Sequence, residues 1–190
     1  MITEITAQLR SQRLLLEVLE HDMARAIEDM ATLLLNTFAS GGKLLIMGNG
    51  GSAADAQHFA AEIVGRFQIE RKALPAISLS ANTSILTAVG NDYGFETVFS
   101  RQIEALASSG DAVIGISTSG NSPNILKALE VARKCDCRLI ALTGKDGGMM
   151  KNLCDLSLVI PSSETPRIQE CHIIIIHVVC DLLEKALFSR

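Results

Sequence analysis

Hydrophobic positions in the first forty residues recur at three- and four-residue steps: Leu9, Leu15 and Leu16, then Leu19, Met23, Ile27, Met30 and Leu34. This is the period of one helix face, and it predicts helix over residues 4–37, with a break near Glu20-His21-Asp22 that splits it in two. Ser40-Gly41-Gly42 stops that helix. Beyond it the pattern changes to short, nearly continuous apolar runs, which predict strands at 44–47, 75–80, 112–117, 138–143 and 156–161. The stretches between them predict helices at 53–67, 85–90, 96–107, 123–134 and 147–153, and a closing helix at 168–188. Short apolar strands alternating with helices make an α/β fold with a doubly wound parallel sheet. No repeat, linker or low-complexity tract interrupts it, so residues 1–190 read as one domain.

The chemistry is concentrated at two strand-to-helix junctions. Lys43–Met47 runs into Gly48-Asn49-Gly50-Gly51-Ser52, and Asp111–Ile116 runs into Ser117-Thr118-Ser119-Gly120-Asn121-Ser122, followed by Pro123. A helix N-terminus offers unpaired N–H groups and about half a positive charge. Glycine lets backbone close around an anion, and hydroxyls add donors without charge. With few lysines or arginines nearby, both loops are built to hold a phosphate by dipoles, which suits a small phosphorylated metabolite. Gly48-Asn49-Gly50-Gly51-Ser52-Ala53 also fits the dinucleotide fingerprint G-x-G-x-x-A. That fingerprint needs an acidic residue at the end of the next strand, and here the strand ends Leu79-Ser80-Ala81-Asn82. NAD is therefore rejected.

Composition narrows the class further. At 190 residues and 48% hydrophobic there is ample core, and a net charge of −4 leaves no basic footprint for nucleic acid. Aromatic residues are 4% with no Trp, which removes the stacking platform of single-strand binders. The five cysteines lie scattered in apolar segments without zinc-ribbon spacing and read as buried reduced thiols. There is no charged-then-apolar leader, and the most apolar run, Ile173–Cys180, is interrupted by His177 and too short to span a bilayer. A cytoplasmic protein with no membrane partner is expected.

Side chains on two helices supply a second kind of chemistry. His58 and Glu62, four apart, share a face one turn deep from the first loop, among Ala53, Ala54, Ala56, Ala60 and Ala61. Taken alone, such a pair is a solvated salt bridge on a helix surface. In the closing helix Gln169 and His177 are eight apart, about 80° around the axis. The run His172–Val179 is apolar nearly all round, so that helix is expected to be buried. His172 is assigned to a satisfied core role. His58, Glu62, Gln169 and His177 together offer two imidazoles, a carboxylate and an amide oxygen, a plausible zinc set.

The ordered combination Gly48–Ser52, Gln57-His58-Phe59-Ala60-Ala61-Glu62, Gly90-Asn91-Asp92-Tyr93-Gly94, Ser117–Ser122, Leu142–Gly148 and Arg167-Ile168-Gln169-Glu170-x-His172 resembles the phosphoheptose isomerases, enzymes of the sugar-isomerase (SIS) domain family. The resemblance covers essentially the whole chain. It implies a flavodoxin-like α/β/α domain with residues 1–37 as an N-terminal helical oligomerisation segment. It also implies a homotetramer with active sites at subunit interfaces, and one zinc per subunit. The substrate would be a phosphorylated seven-carbon sugar, sedoheptulose 7-phosphate, converted to D-glycero-D-manno-heptose 7-phosphate for bacterial surface heptose and lipopolysaccharide core. Carried over by position, Asn49, Gly50, Gly51, Ser52, Glu62, Asn91, Asp92, Ser117, Thr118, Ser119, Ser122 and Gln169 would touch substrate. His58, Glu62, Gln169 and His177 would hold the metal.

The chemistry agrees with that resemblance. Aldose–ketose isomerisation moves a proton between C1 and C2 through a cis-enediol, and Glu62 is the natural carbon base with His177 its partner for the oxygen proton. The alternative is a non-catalytic SIS-domain sugar-phosphate sensor or a replication-initiator-associating relative. In that relative the Glu62 position is not acidic, whereas this chain keeps both Glu62 and His177. Set against the family it resembles, the loop Ser162–Pro166 before Arg167 looks shorter than in some members, which bears on any substrate contacts that loop makes.

Overall fold

In the computed structural model, which describes residues 1–188, the break near residue 21 separates α1 (Ile2–His21) from α2 (Ala24–Ala39). The backbone N–H groups of Asp22 and Met23 both return to the Val18 carbonyl, at 2.9 and 3.2 Å, which ends α1 and turns the chain. The strands follow the apolar runs: β1 (Leu44–Gly48), β2 (Ala76–Ser78), β3 (Ala112–Ser117), β4 (Arg138–Gly144) and β5 (Leu156–Ile160). They form one parallel sheet in the order β2-β1-β3-β4-β5, the doubly wound arrangement that was expected.

Alternation within the strands feeds two cores. Leu44, Ile46, Ile114, Ile116, Ile140 and Leu142 face α1, α2, α3 (Gly51–Val64) and α8 (Thr165–Phe188). Leu45, Met47, Val113, Leu139 and Ala141 face the other layer, α5 (Ser100–Leu106), α6 (Pro123–Lys134) and α7 (Met150–Leu153). Because β1 and β3 are neighbours whose following helices lie on opposite faces, their carboxyl ends form the switch point at which such sheets bind ligands.

Several boundaries differ from the sequence reading. Helix α3 stops at Val64 rather than Phe67, because the Arg71 guanidinium takes the carbonyls of Glu62 and Ile63 at 2.7 and 2.8 Å and caps the last turn. Helix α4 (Thr83–Tyr93) is longer than expected, starting at an Asn82 cap whose Oδ1 accepts the Ile85 N–H at 3.0 Å. A 3-10 turn at Phe95–Thr97 precedes the shorter α5. Helix α8 begins at Thr165, its Pro166 being tolerated in the first turn. It is not buried all round: Val178 and Leu182 are 41% and 37% exposed, and with Ile174 they line an apolar groove against Leu16, Leu19 and Ile27. Among the described residues no helix is long and apolar enough to cross a membrane.

Candidate active site

The two hydroxyl-rich loops sit side by side at the switch point and enclose a cavity of about 310 Å³. Asn49, Gly50, Gly51 and Ser52 line one wall, and Ser117, Thr118, Ser119 and Ser122 the other. Neither lysine nor arginine lines it, so a bound anion meets helix N-termini, backbone N–H groups and hydroxyls. Gly50 takes φ +55°, the left-handed turn that lets β1 enter α3. On the second loop Ser117 Oγ lies 2.8 Å from Ser122 Oγ and 3.4 Å from Ser119 Oγ, a hydroxyl cluster poised to rotate onto an acceptor. Gly120 packs backbone to backbone against Gly147, and Asn121 Oδ1 accepts the Met149 N–H at 2.9 Å, so the loop after β4 braces the second phosphate loop.

The same α3 carries the titratable cluster. His58 Nε2 lies 2.9 Å from Glu62 Oε1 and 3.4 Å from His177 Nε2 of α8, and one ligand atom from each of the three falls within 4.8 Å of the others. Two imidazole nitrogens and a carboxylate oxygen converging at this spacing fit a small divalent cation with positions left open. The imidazoles meet edge-on at 5.0 Å between centroids, and the Phe67 ring lies 5.6 Å from His177. Beside them Asp55 sits one turn earlier on α3. Burial, opposed in part by His58, pushes its carboxyl up to about 6, and its Oδ2 has no partner among the described residues.

The remaining expected residues are placed elsewhere. Gln169 lines the loop cavity, its amide packed on Gly51 where a Cβ would collide with it. It lies two turns before His177, about 12 Å along the axis by helix rise. Asn91 and Asp92 are exposed at the end of α4, with Asn91 Nδ2 donating to Asp92 Oδ1 at 2.8 Å. His172 is fully buried, as expected of a core histidine, but only half satisfied: Nε2 is hydrogen-bonded to the Thr143 carbonyl at 3.1 Å while Nδ1 has no partner among the described residues, and burial pushes its value down to about 4.

Other residues that hold this site were missed in the sequence. Ser80 Oγ donates to the Gly48 carbonyl at 2.9 Å and accepts its N–H at 3.2 Å, so the strand end that lacks a carboxylate steadies the first loop instead. Glu184 accepts the N–H groups of Phe67, Gln68 and Ile69 and the Arg71 Nε at 3.0 Å, tying α8 to the segment that caps α3. Arg71 lies between Glu70 and Lys72 and Glu184 precedes Lys185, so neither stands out from a charged surface stretch, and spacing does not pair residues so far apart.

Comparison with known proteins agrees with this geometry. Residues 9–144 match the SIS domain family. The chain is 64% identical over 189 residues to the phosphoheptose isomerase of Pelobacter propionicus, covering 100% of both chains. It is 62% identical to that of Geobacter sulfurreducens, covering 99% and 100%. The phosphoheptose isomerase structure from Neisseria gonorrhoeae superposes with a TM-score of 0.92 at 43% identity, over 97% of this chain and 100% of that one. The one from Francisella tularensis gives 0.94 at 37%, over 97% and 98%. A Vibrio vulnificus protein, NanR, solved with ManNAc-6P, gives only 0.68 at 17% identity, over 98% and 63%, a likeness of fold alone. With hydroxyl-rich loops at the switch point, a His–Glu–His cluster about two turns further along α3 and α8, and relatives matched from end to end, the chain belongs to the phosphoheptose isomerases of the SIS domain family.

Proposed function

We propose that this protein is an aldose–ketose isomerase that interconverts sedoheptulose 7-phosphate and D-glycero-D-manno-heptose 7-phosphate, in the cytoplasm, for surface heptose and lipopolysaccharide precursors. The observation that carries this reading is the full-length identity to phosphoheptose isomerases. It is supported by the pairing of an uncharged anion cavity with a nearby acid–base cluster. A sensor needs only the cavity.

In this reading the loops take the phosphate and the other end of the sugar faces the cluster. Glu62 removes the C1 proton of the ketose, giving the cis-enediol, and returns a proton to C2. His177 moves the hydroxyl proton between O2 and O1. Asn91 and Asp92 hold sugar hydroxyls. The phosphate, remote from the reacting carbons, supplies binding energy and fixes position. Zinc, one per subunit, would be held by His58, Glu62, His177 and Gln169, and when bound supplies polarisation of the sugar oxygens.

We further read the chain as a homotetramer, with residues 1–37 serving assembly. The apolar face of α1 and α8, where Leu9 is 68% exposed and Leu16, Val178 and Leu182 line or flank an open groove, supports an oligomer. The separation of Gln169 from His177 supports sharing: if all four ligands act on one ion, Gln169 comes from a neighbouring copy.

The test is turnover. Purified protein given sedoheptulose 7-phosphate should form the aldose phosphate and, in heavy water, incorporate deuterium at C1 or C2. Glu62→Gln should lower turnover by at least about 10²-fold, the low end for general base catalysis, with bound zinc measured in the same samples. Wild-type protein that binds the sugar phosphate without converting it would overturn the enzyme reading in favour of a sensor.

A further inference from the structure

Between the two phosphate loops lies a part-buried polar contact that neither anion binding nor proton transfer requires. Asn49 Nδ2 donates to Asn124 Oδ1 at 3.0 Å, and Asn124 Nδ2 donates back to Asn49 Oδ1 at 2.9 Å. Asn124 is the second residue of α6 and only 3% exposed, in a helix whose other buried positions are Ile125, Ala128, Leu129 and Ala132. An amide in such a place loses hydration and is tolerated only with its partners made. Here one donor and one acceptor of each side chain are consumed in a closed pair. Turning either amide alone would set oxygen on oxygen and N–H on N–H, so the two orient as a unit.

The pair joins the site from an unexpected side. Asn49 faces the loop cavity as well as a smaller hollow of about 210 Å³ that it shares with Asn124, Ser122, Pro123, Phe95 and Glu96. Its second N–H and second lone pair are left free by the pair. Ser80 holds Gly48 from the β2 side, while Asn124 holds Asn49 from the α6 side, two residues after the Ser122 whose hydroxyl meets Ser117. The first loop is thus braced on both flanks.

We infer that Asn124 is a positioning residue for sugar-phosphate binding: its reciprocal amide pair fixes the orientation of Asn49 and locks the Gly48–Ser52 loop to the head of α6, so that both loops present one preset cradle. This rests on the reading of the loops as the phosphate site. Preorganisation of this kind acts on affinity, because a loop free to turn must be ordered by the ligand.

Asn124→Asp tests it, because a carboxylic acid can replace an amide in such a pair and a carboxylate cannot. At pH 8 the introduced carboxylate faces the Asn49 oxygen, and the dissociation constant for sedoheptulose 7-phosphate, read by calorimetry, should rise about 10-fold or more relative to wild type, the scale of one broken buried hydrogen bond. KM should rise with it, and kcat should change less. As pH falls toward about 4, the ordinary aspartate range, the carboxyl protonates, donates to Asn49 Oδ1 and restores the pair, so the variant-to-wild-type ratio should return toward one. Glu96, exposed, is the ionisable group lining the shared hollow and is the same in both proteins, so comparison with wild type at each pH removes its contribution. Asn124→Ala, which carries no charge and keeps the experiment usable if the aspartate variant unfolds, should bind weakly at every pH with no such recovery. Wild-type affinity in Asn124→Ala overturns the inference, because weakening in Asn124→Asp alone would then be repulsion between its carboxylate and the phosphate; weakening in Asn124→Asp that protonation does not relieve overturns it too. Calorimetry separates this from the enzyme reading: wild-type binding without turnover defeats the isomerase assignment alone, and absence of binding defeats both.

Discussion

Glu184 shows how much a single buried carboxylate can organise. It and Arg71 have side chains only 4% and 1% exposed, and together they fasten residues 67–71 between the ends of α3 and α8. Burial by itself would raise this carboxyl; three backbone N–H groups and the guanidinium outweigh that and hold it at about 2, below its ordinary 4.5. Its folded value is depressed, so the stabilisation is fully present above pH 4.5 and is lost as pH falls from there through about 2. Glu184→Gln leaves the Arg71 charge buried and unpaired, and urea denaturation at neutral pH should show a loss of about 3–5 kcal/mol. A loss under 1 kcal/mol would mean that water reaches the guanidinium. The variant should also lose part of the low-pH dependence between 4.5 and 2. The buried His172 adds an earlier acid-sensitive step: its value is lowered from 6.5 to about 4, so it stabilises above 6.5 and loses that contribution as pH drops through this window.

At the scale of elements, the contact between α3 and α8 decides what the site looks like. The helices run in the same direction, with Gly51 against Gln169 at one end and His58 against His177 at the other. Gly51→Ala adds a helix-favouring residue, and its Cβ meets only the tip of a flexible side chain, so melting temperature should hold or rise. The displaced Gln169 amide should nevertheless weaken sugar-phosphate affinity by roughly 10-fold, the worth of a lost polar contact. Gly120→Ala should do the reverse first: at φ +65° its Cβ meets the Gly147 carbonyl, backbone that cannot swing aside, and stability should fall by about 1–3 kcal/mol. Thermal melts alongside substrate titrations separate the two. The strands and both loops were legible because apolar runs and glycine-hydroxyl clusters are local signals. The end of α3 was not, since Arg71 and Glu184 make it from outside the helix, the latter 113 residues away from its partner. Ser80 and Asn124 were hidden likewise: each acts on the first loop across 32 or 75 residues of chain. The two imidazoles could be nominated from the sequence, but only folding shows that His58 and His177 meet while Gln169 stays with the loops.

For the whole molecule the question is how many chains make one site. Light scattering should report a tetramer at micromolar concentration. If Gln169 serves a neighbouring copy, the Gln169→Ala and His177→Ala proteins, each inactive alone, should regain activity when unfolded and refolded together, in roughly one site in four for random assembly. Absence of any recovery would return Gln169 to the loops of its own chain. One further consequence follows from α8 being a single rod of 24 residues. It meets the loop cavity at Gln169, the sheet at His172, the cluster at His177 and the strap at Glu184. These stations share one phase: a residue inserted after Ile174 would advance everything beyond it by about 100° and 1.5 Å. The imidazole would leave its partner and the carboxylate its N–H groups in the same stroke. The surface loop at 161–164, just ahead of the rod, is tied at Ser162 to the Lys145 N–H and at Glu164 to Ser11, but it carries no such phase, so a change of length there disturbs only those contacts. In this lineage, gaps and insertions should therefore accumulate before Thr165 and be purged after it, so the helix acts as a reading frame for the fold.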